Sequence, residues 1–185
     1  MTVTNAEEWA LLRRHRRKPL VEPAAYERFA SVECDGDALR RLLPHRDPLR
    51  FVDRVTAVSE DRELIVGTRY LAPDDPTFAG HFPDYPLYPG TFQVEAIGQL
   101  GLCLWYFRRF PDRIDVGPDA RPATVRATRI GGALFNAPAP PDRTATIVAQ
   151  RLEDDGFRAS IIGQFLVDDA VCCTAIGEVV FLDTE

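Results

Sequence analysis

A chain of 185 residues, 45% of them apolar, is long enough for one domain with a full core and too hydrophobic to be disordered throughout. Its formal charge of −6 excludes general nucleic-acid affinity, which needs a basic face that neutralises phosphates. The four cysteines show no metal-ligand spacing and no apolar run follows the N-terminus, so the chain reads as a cytoplasmic protein of a reducing compartment with no membrane span.

Residues 1–36 read as an N-terminal extension, helical at its start, and residues 37–185 as a single domain. Glu7 and Glu8 precede Trp9, Leu11 and Leu12, and the basic run Arg13 to Lys18 follows. Acid first and base last suits a helix dipole. The basic run is read either as a solvated helix end or as a dock for an acidic partner. A short helix is predicted from Asp37 to Leu43, with Leu39, Leu42 and Leu43 as its apolar stripe and Pro44 as its stop. His45, just beyond, reads as structural. Two β-type runs, from Phe51 to Ser59 and from Glu63 to Leu71, flank the polar Glu60-Asp61-Arg62 and predict a hairpin.

The stretch from Gly80 to Phe107 organises the rest. Pro83, Pro86 and Pro89 lack a backbone N–H and fix their own φ, so His81 to Gly90 is predicted to be a stiff, non-repetitive loop. Pro89-Gly90 suits a helix N-terminus, and Thr91 to Phe107 is apolar on nearly every side, as a core helix is. Glu95 and Gln99 lie one turn apart on the same face of that helix, and a lone buried carboxylate is costly unless it is paired or used. Three or four strands are predicted after it, roughly 123–136, 143–153, 157–167 and 171–182. Asp154-Asp155-Gly156 is a hairpin signal, and the alternation from Phe157 to Val167 predicts a strand with one buried face. The expected fold class is α+β, with an antiparallel sheet, closing in a meander, curved around a long central apolar helix.

A histidine in a stiff loop and a carboxylate on the helix behind it can supply a base and an acid on two sides of a cleft. His81 suits proton abstraction near neutral pH, and burial would favour a protonated Glu95 able to deliver a proton. The free N–H groups of the Pro89-Gly90 helix start, at the positive end of the dipole, can polarise a carbonyl. The blander reading has His81 bonded to its own loop and Glu95 paired with Gln99 or an arginine. Spacing alone does not choose between them.

Several segments resemble the 3-hydroxyacyl-acyl-carrier-protein dehydratases of the hot-dog fold. They are Leu42-Leu43-Pro44-His45-Arg46, Val52-Asp53-Arg54-Val55, Gly80-His81-Phe82-Pro83, Pro86-Leu87-Tyr88-Pro89-Gly90 and Glu95-Ala96-Ile97-Gly98-Gln99, in that family's order and spacing. The resemblance covers roughly residues 38–183. It implies the hot-dog fold, His81 as catalytic base, Glu95 as the acid that assists loss of the 3-hydroxyl as water, and Gly90 as backbone donor to the thioester carbonyl. It also implies Gln99 as the residue orienting Glu95, with Tyr88 and Phe82 among the substrate-binding residues, and no metal or redox cofactor. The implied partner is an acyl carrier protein. An obligate dimer or higher oligomer, of identical or related subunits, is implied too, with each site drawing its two catalytic residues from different chains. Tyr88 stands where a methionine is usual, and Phe135 to Asp142 lacks the usual Arg-Pro and Pro-Gly-Asp pattern. A hot-dog thioesterase and a non-catalytic acyl-binding subunit are the other readings weighed. For a carrier protein that is itself acidic, the candidate docking patch is Arg108 and Arg109 with Arg126 and Arg129, and the Arg13 to Lys18 run is a second one.

Overall fold

The computed structural model describes residues 4–182. Its elements in chain order are α1 (Asn5–Arg14), a 3-10 turn (Pro23–Arg28), β1 (Ala30–Asp35), α2 (Gly36–Leu42), β2 (Arg54–Val58), β3 (Leu64–Leu71), α3 (Pro76–Gly80), α4 (Gly90–Arg109), β4 (Val125–Phe135), β5 (Arg143–Asp154), β6 (Arg158–Val167) and β7 (Ala170–Phe181). The seven strands form one sheet in the order β1-β2-β3-β5-β6-β7-β4, and every neighbouring pair is antiparallel. The α+β class, the hairpin and the long helix are as expected.

Two expectations are corrected. The meander holds for β5, β6 and β7, but β4 pairs with β7 at the far edge and not with β5, its successor in sequence. The connection between β4 and β5 therefore crosses to β3, which pairs with β5 over eight residues from Leu64↔Gln150 to Leu71↔Arg143. Ala30–Asp35, where no strand was expected, is the opposite edge strand: Val32 and Cys34 point inward and Ser31, Glu33 and Asp35 outward.

Helix α4 packs across β2, β3, β5, β6 and β7. Its approach depends on residues without side chains. A Cβ on Gly67 would lie 2.7 Å from Leu100 Cδ1, one on Gly101 would lie 2.5 Å from Ile161 Cδ1, and one on Gly163 would run into Ile97. The interior between helix and sheet is continuous, and Ile97, Leu100, Cys103, Leu104 and Phe107 are its α4 contribution. The N-terminal segment covers the opposite face of the sheet. Leu12 packs on Ile162 and Ile176, while Leu20, Val21, Tyr26 and Phe29 pack on Val66, Val148, Leu166 and Val171.

This second cover corrects the one-sided reading of β6. Nine consecutive residues, Ala159–Val167, are buried, including Ser160 and Gln164, which alternation had assigned to solvent. A buried amide must find partners. Gln164 Oε1 accepts from Leu20 N–H at 2.7 Å, and its Nε2 donates to the carbonyls of His15 at 2.8 Å and Lys18 at 3.0 Å. The polar side chain is thus the latch that holds the chain segment after α1 on the sheet. Glu8 adds an ion pair to Arg129 of β4, with oxygen–nitrogen distances of 2.5 and 2.8 Å.

All four cysteines are buried and unpaired. Burial pushes the thiols of Cys34 and Cys173 up to about 12, that of Cys172 up to about 11, and that of Cys103 well above its ordinary value. Alkylation needs the thiolate. Iodoacetamide at pH 8 is expected to modify none of them in the native protein and all four in denaturant, read by intact mass. Rapid labelling of any one in the native protein would contradict the burial described. No described helix is long and apolar enough to cross a membrane.

Candidate active site

His81 ends α3, a single turn that begins where Asp75 caps Thr77 N–H at 2.9 Å and Pro76 starts the helix. Arg69 of β3 anchors that turn, reaching Asp53 at 2.8 Å and Asp75 at 3.6 Å. The loop beyond is as stiff as its prolines predict, and it is also knotted by hydrogen bonds. His81 N–H donates to Thr77 O at 3.0 Å, Leu87 N–H donates to His81 O at 2.8 Å, and Tyr88 N–H donates to Ala139 O at 2.8 Å. The imidazole stacks on Phe82 with ring centroids 4.1 Å apart. Phe82 itself is 52% exposed, an apolar surface beside the imidazole.

His81 Nδ1 lies 2.9 Å from Leu87 O. A carbonyl only accepts, so Nδ1 carries the hydrogen and Nε2 of the neutral ring is left with its lone pair free. The ring is both oriented and set in the tautomer of a base.

No side chain caps α4, because Pro89 occupies the N-cap, so its first N–H groups have no partner within the helix. Gly90, the first residue, lies under Phe135: a Cβ there would meet three atoms of that ring at 2.6 to 3.0 Å. The end of β4 therefore closes over the helix start, and only glycine fits beneath it. Gln93 Nε2 donates to Tyr88 O at 3.1 Å and ties the loop to the helix. Tyr88 itself is only 2% exposed. Its ring stacks on Phe165 at 5.8 Å and meets Phe51 and Phe92 edge-on at 6.5 and 5.9 Å. Tyr88, expected among the substrate-binding residues, is an aromatic ring larger than the usual side chain and lies packed behind the helix start. Burial pushes its phenol up to about 12, so it stays protonated.

Further along α4, Gln99 is 1% exposed and fully used. Its Oε1 accepts from Phe51 N–H at 2.8 Å, and its Nε2 donates to Leu49 O at 2.8 Å and to Glu95 Oε1 at 2.9 Å. The expected Glu95–Gln99 pairing is present. The expected burial of Glu95 is not: its side chain is 48% exposed. Glu95 lies on the flank of α4 that faces away from the sheet, and about half of its side chain is left open. A residue read as structural joins it, because His45 Nε2 lies 3.4 Å from Glu95 Oε1. No hydrogen bond or ion pair connects His81 with Glu95 among the described residues. The anchors Arg69 and Asp75 and the lid Phe135 also escaped the sequence reading, although Asp75-Pro76 is a legible helix start.

The arginine patch is largely spoken for. Arg108 pairs with Glu63 at 2.5 Å and Asp154 at 3.7 Å, and Arg129 pairs with Glu8 at 2.5 Å and Glu178 at 3.8 Å. Arg109 and Arg126 remain exposed. Arg109 is fourteen residues from Glu95 on α4, about 21 Å along the axis at 1.5 Å per residue. In the basic run after α1, Arg16 donates to Asn136 Oδ1 at 2.8 Å.

The family model described as FabA-like domain matches residues 43–175. The 3-hydroxyacyl-[acyl-carrier-protein] dehydratase FabZ of Solibacter usitatus is 33% identical over 141 residues, covering 76% of this chain and 81% of its own length. That of Campylobacter concisus is 31% identical over 137 residues, covering 74% of this chain and 90% of its own. Among solved structures, a chain of the dehydratase heterocomplex ApeI:P from Xenorhabdus doucetiae superposes with a TM-score of 0.59, covering 78% of this chain and 91% of its own at 16% identity. That likeness shows the fold alone, which is the hot-dog fold.

Proposed function

Since the chain belongs to the FabA-like family, we propose that it dehydrates a 3-hydroxyacyl thioester carried on an acyl carrier protein to the trans-2-enoyl thioester and water. The observation that carries this reading is the Nδ1–Leu87 O contact of 2.9 Å, which leaves His81 Nε2 free beside an uncapped helix start. The thioester carbonyl accepts from Gly90 N–H, where the helix dipole favours the negative charge that develops on its oxygen. His81 Nε2 takes the C2 proton. The electron pair of the C2–H bond becomes the C2=C3 double bond, the C3–O bond breaks, and Glu95 gives its proton to the departing hydroxyl, which leaves as water. Phe82 offers an apolar surface to the acyl chain. Fatty-acid synthesis is the setting favoured by the relatives' names, and a specialised polyketide or polyene pathway uses the same chemistry.

We further propose that the two catalytic residues of each site come from different chains of a dimer. Among the described residues no hydrogen bond or ion pair joins His81 to Glu95, and the outward flank of α4 presents Glu95, Gly98, Leu102 and Trp105 without full cover. A second copy covers this flank and brings its own His81 to Glu95.

The test is turnover of short- and long-chain 3-hydroxyacyl carrier-protein thioesters, followed as enoyl product. Wild-type protein is expected to lose water from at least one of them, and hydrolysis to the free acid would favour a thioesterase instead. His81→Ala and Glu95→Gln are each expected to be inactive. Mixed under subunit exchange, they should regain up to one good site per mixed dimer. Absence of recovery despite proven exchange would place both residues in a single-chain site.

A further inference from the structure

His45 belongs to a loop held from both sides. Arg46 turns back to donate to the carbonyls of Leu43 and His45 at 2.8 Å and of Arg40 at 3.3 Å. Gln99 pins the far end through Leu49 O and Phe51 N–H, both at 2.8 Å. Between these anchors Arg50 and Asp47 pair with each other at 3.5 Å. The loop is therefore fixed across the second turn of α4, with the His45 side chain 28% exposed and its Nε2 against Glu95 Oε1.

The rest of the ring makes no polar contact. His45 Nδ1 is buried without a hydrogen-bond partner. A buried N–H with no acceptor is costlier than a bare lone pair, so Nδ1 is unprotonated and the hydrogen of the neutral ring sits on Nε2, the atom 3.4 Å from Glu95 Oε1. If the ring served only to fill space, a phenyl group would do so without stranding a polar atom. Its single polar contact is with a carboxylate that the reaction needs.

Glu95 Oε1 already accepts from Gln99, and Oε2 has no hydrogen bond among the described residues. We propose that His45 is a second positioning residue for Glu95: with Gln99 it makes Oε1 the accepting oxygen, so that Oε2 holds the proton and presents it outward. When Oε2 releases that proton, the two donors on Oε1 are already in place for the carboxylate that remains. The separation of 3.4 Å is that of a charge-pair contact rather than of a formed hydrogen bond, and the proposal has the donor close on Oε1 as negative charge develops there. This inference rests on the dehydratase reading only for its kinetic consequence, and the tautomer is a property of the free protein.

Two measurements test it. Long-range proton–nitrogen correlation spectra of the folded protein are expected to show His45 as the Nε2–H tautomer, and an Nδ1–H tautomer overturns the proposal whether or not the protein has activity. In turnover, His45→Phe keeps the ring and removes the donor. It is expected to lower kcat about tenfold, the scale on which partners that hold a reactive group usually count, with KM within twofold. His45→Gln restores an N–H near the Nε2 position and should recover kcat to within about threefold of wild type. Unchanged kcat in His45→Phe, a change confined to KM, or equal losses in the two variants would each overturn the proposal. A wild-type protein without dehydratase turnover would remove the proposed function while the tautomer measurement still decides this one.

Discussion

His81→Ala is expected to lose turnover by a factor of a hundred or more, with the fold and assembly kept, because a positioned base contributes about 10²–10⁴ to a rate. The side chain is partly buried, and its hydrogen bond to Leu87 O is not what holds the loop. The loop retains Leu87 N–H to His81 O, Tyr88 N–H to Ala139 O and the Arg69–Asp75 anchor, none of which uses the imidazole. KM should therefore change little while kcat collapses. His81→Asn sharpens the test, since its amide can still donate to Leu87 O but has no basic nitrogen. Both variants should be equally inactive and melt close to wild type. Turnover within tenfold of wild type in either one would remove His81 from the role of base.

Arg129→Ala is expected to be the most destabilising change outside the core. Glu8 is only 2% exposed, and Arg129 supplies both of its hydrogen bonds. Removing one partner of a buried pair strands the other charge, at a cost of about 3–5 kcal/mol when both are buried. Arg129 is 38% exposed, so solvent screens the pair on that side and about 2–3 kcal/mol is the expected loss. For a chain of this size that lowers Tm by roughly 5–10 °C. Glu8→Gln should cost less, about 1 kcal/mol, because Arg129 keeps Glu178 and water while the amide still accepts a hydrogen bond. If the two variants melt alike, Arg129 does not act by covering a buried charge. The Arg129→Ala protein should also be nicked first near residues 15–29, since the segment after α1 depends on the same docking.

Much of this molecule is legible along the chain because local rules and the global fold agree there. The apolar run from Thr91 to Phe107 is a helix in any context that buries it, and Pro89-Gly90 starts it. The turn at Asp154-Asp155-Gly156 and the alternation around it give β5, β6 and β7 to within about a residue or two. Where reading failed, a distant segment had changed the environment. Ser160 and Gln164 look solvent-facing by alternation but are buried, and over Gln164 it is the segment from His15 to Leu20 that lies. β1 has a legible alternation too, but six residues next to a helix carry little signal until β2 pairs with them.

The candidate site divides in the same way. His81, Gly90, Glu95 and Gln99 could be singled out as candidates along the chain, since a proline-stiffened loop, a glycine at a helix start and a carboxylate one turn from an amide are short-range patterns, and the family resemblance gave them their implied roles. The contact of His45 with Glu95, the lid that Phe135 places over Gly90 and the core position of Tyr88 were not, because each joins residues far apart in sequence or depends on how much room the packed interior leaves. Local spacing thus nominated the groups that could do chemistry. Tertiary structure alone decided which of them meet, which are covered and which stay open, since those depend on strand order and on the second face of the sheet, neither of which a local pattern encodes.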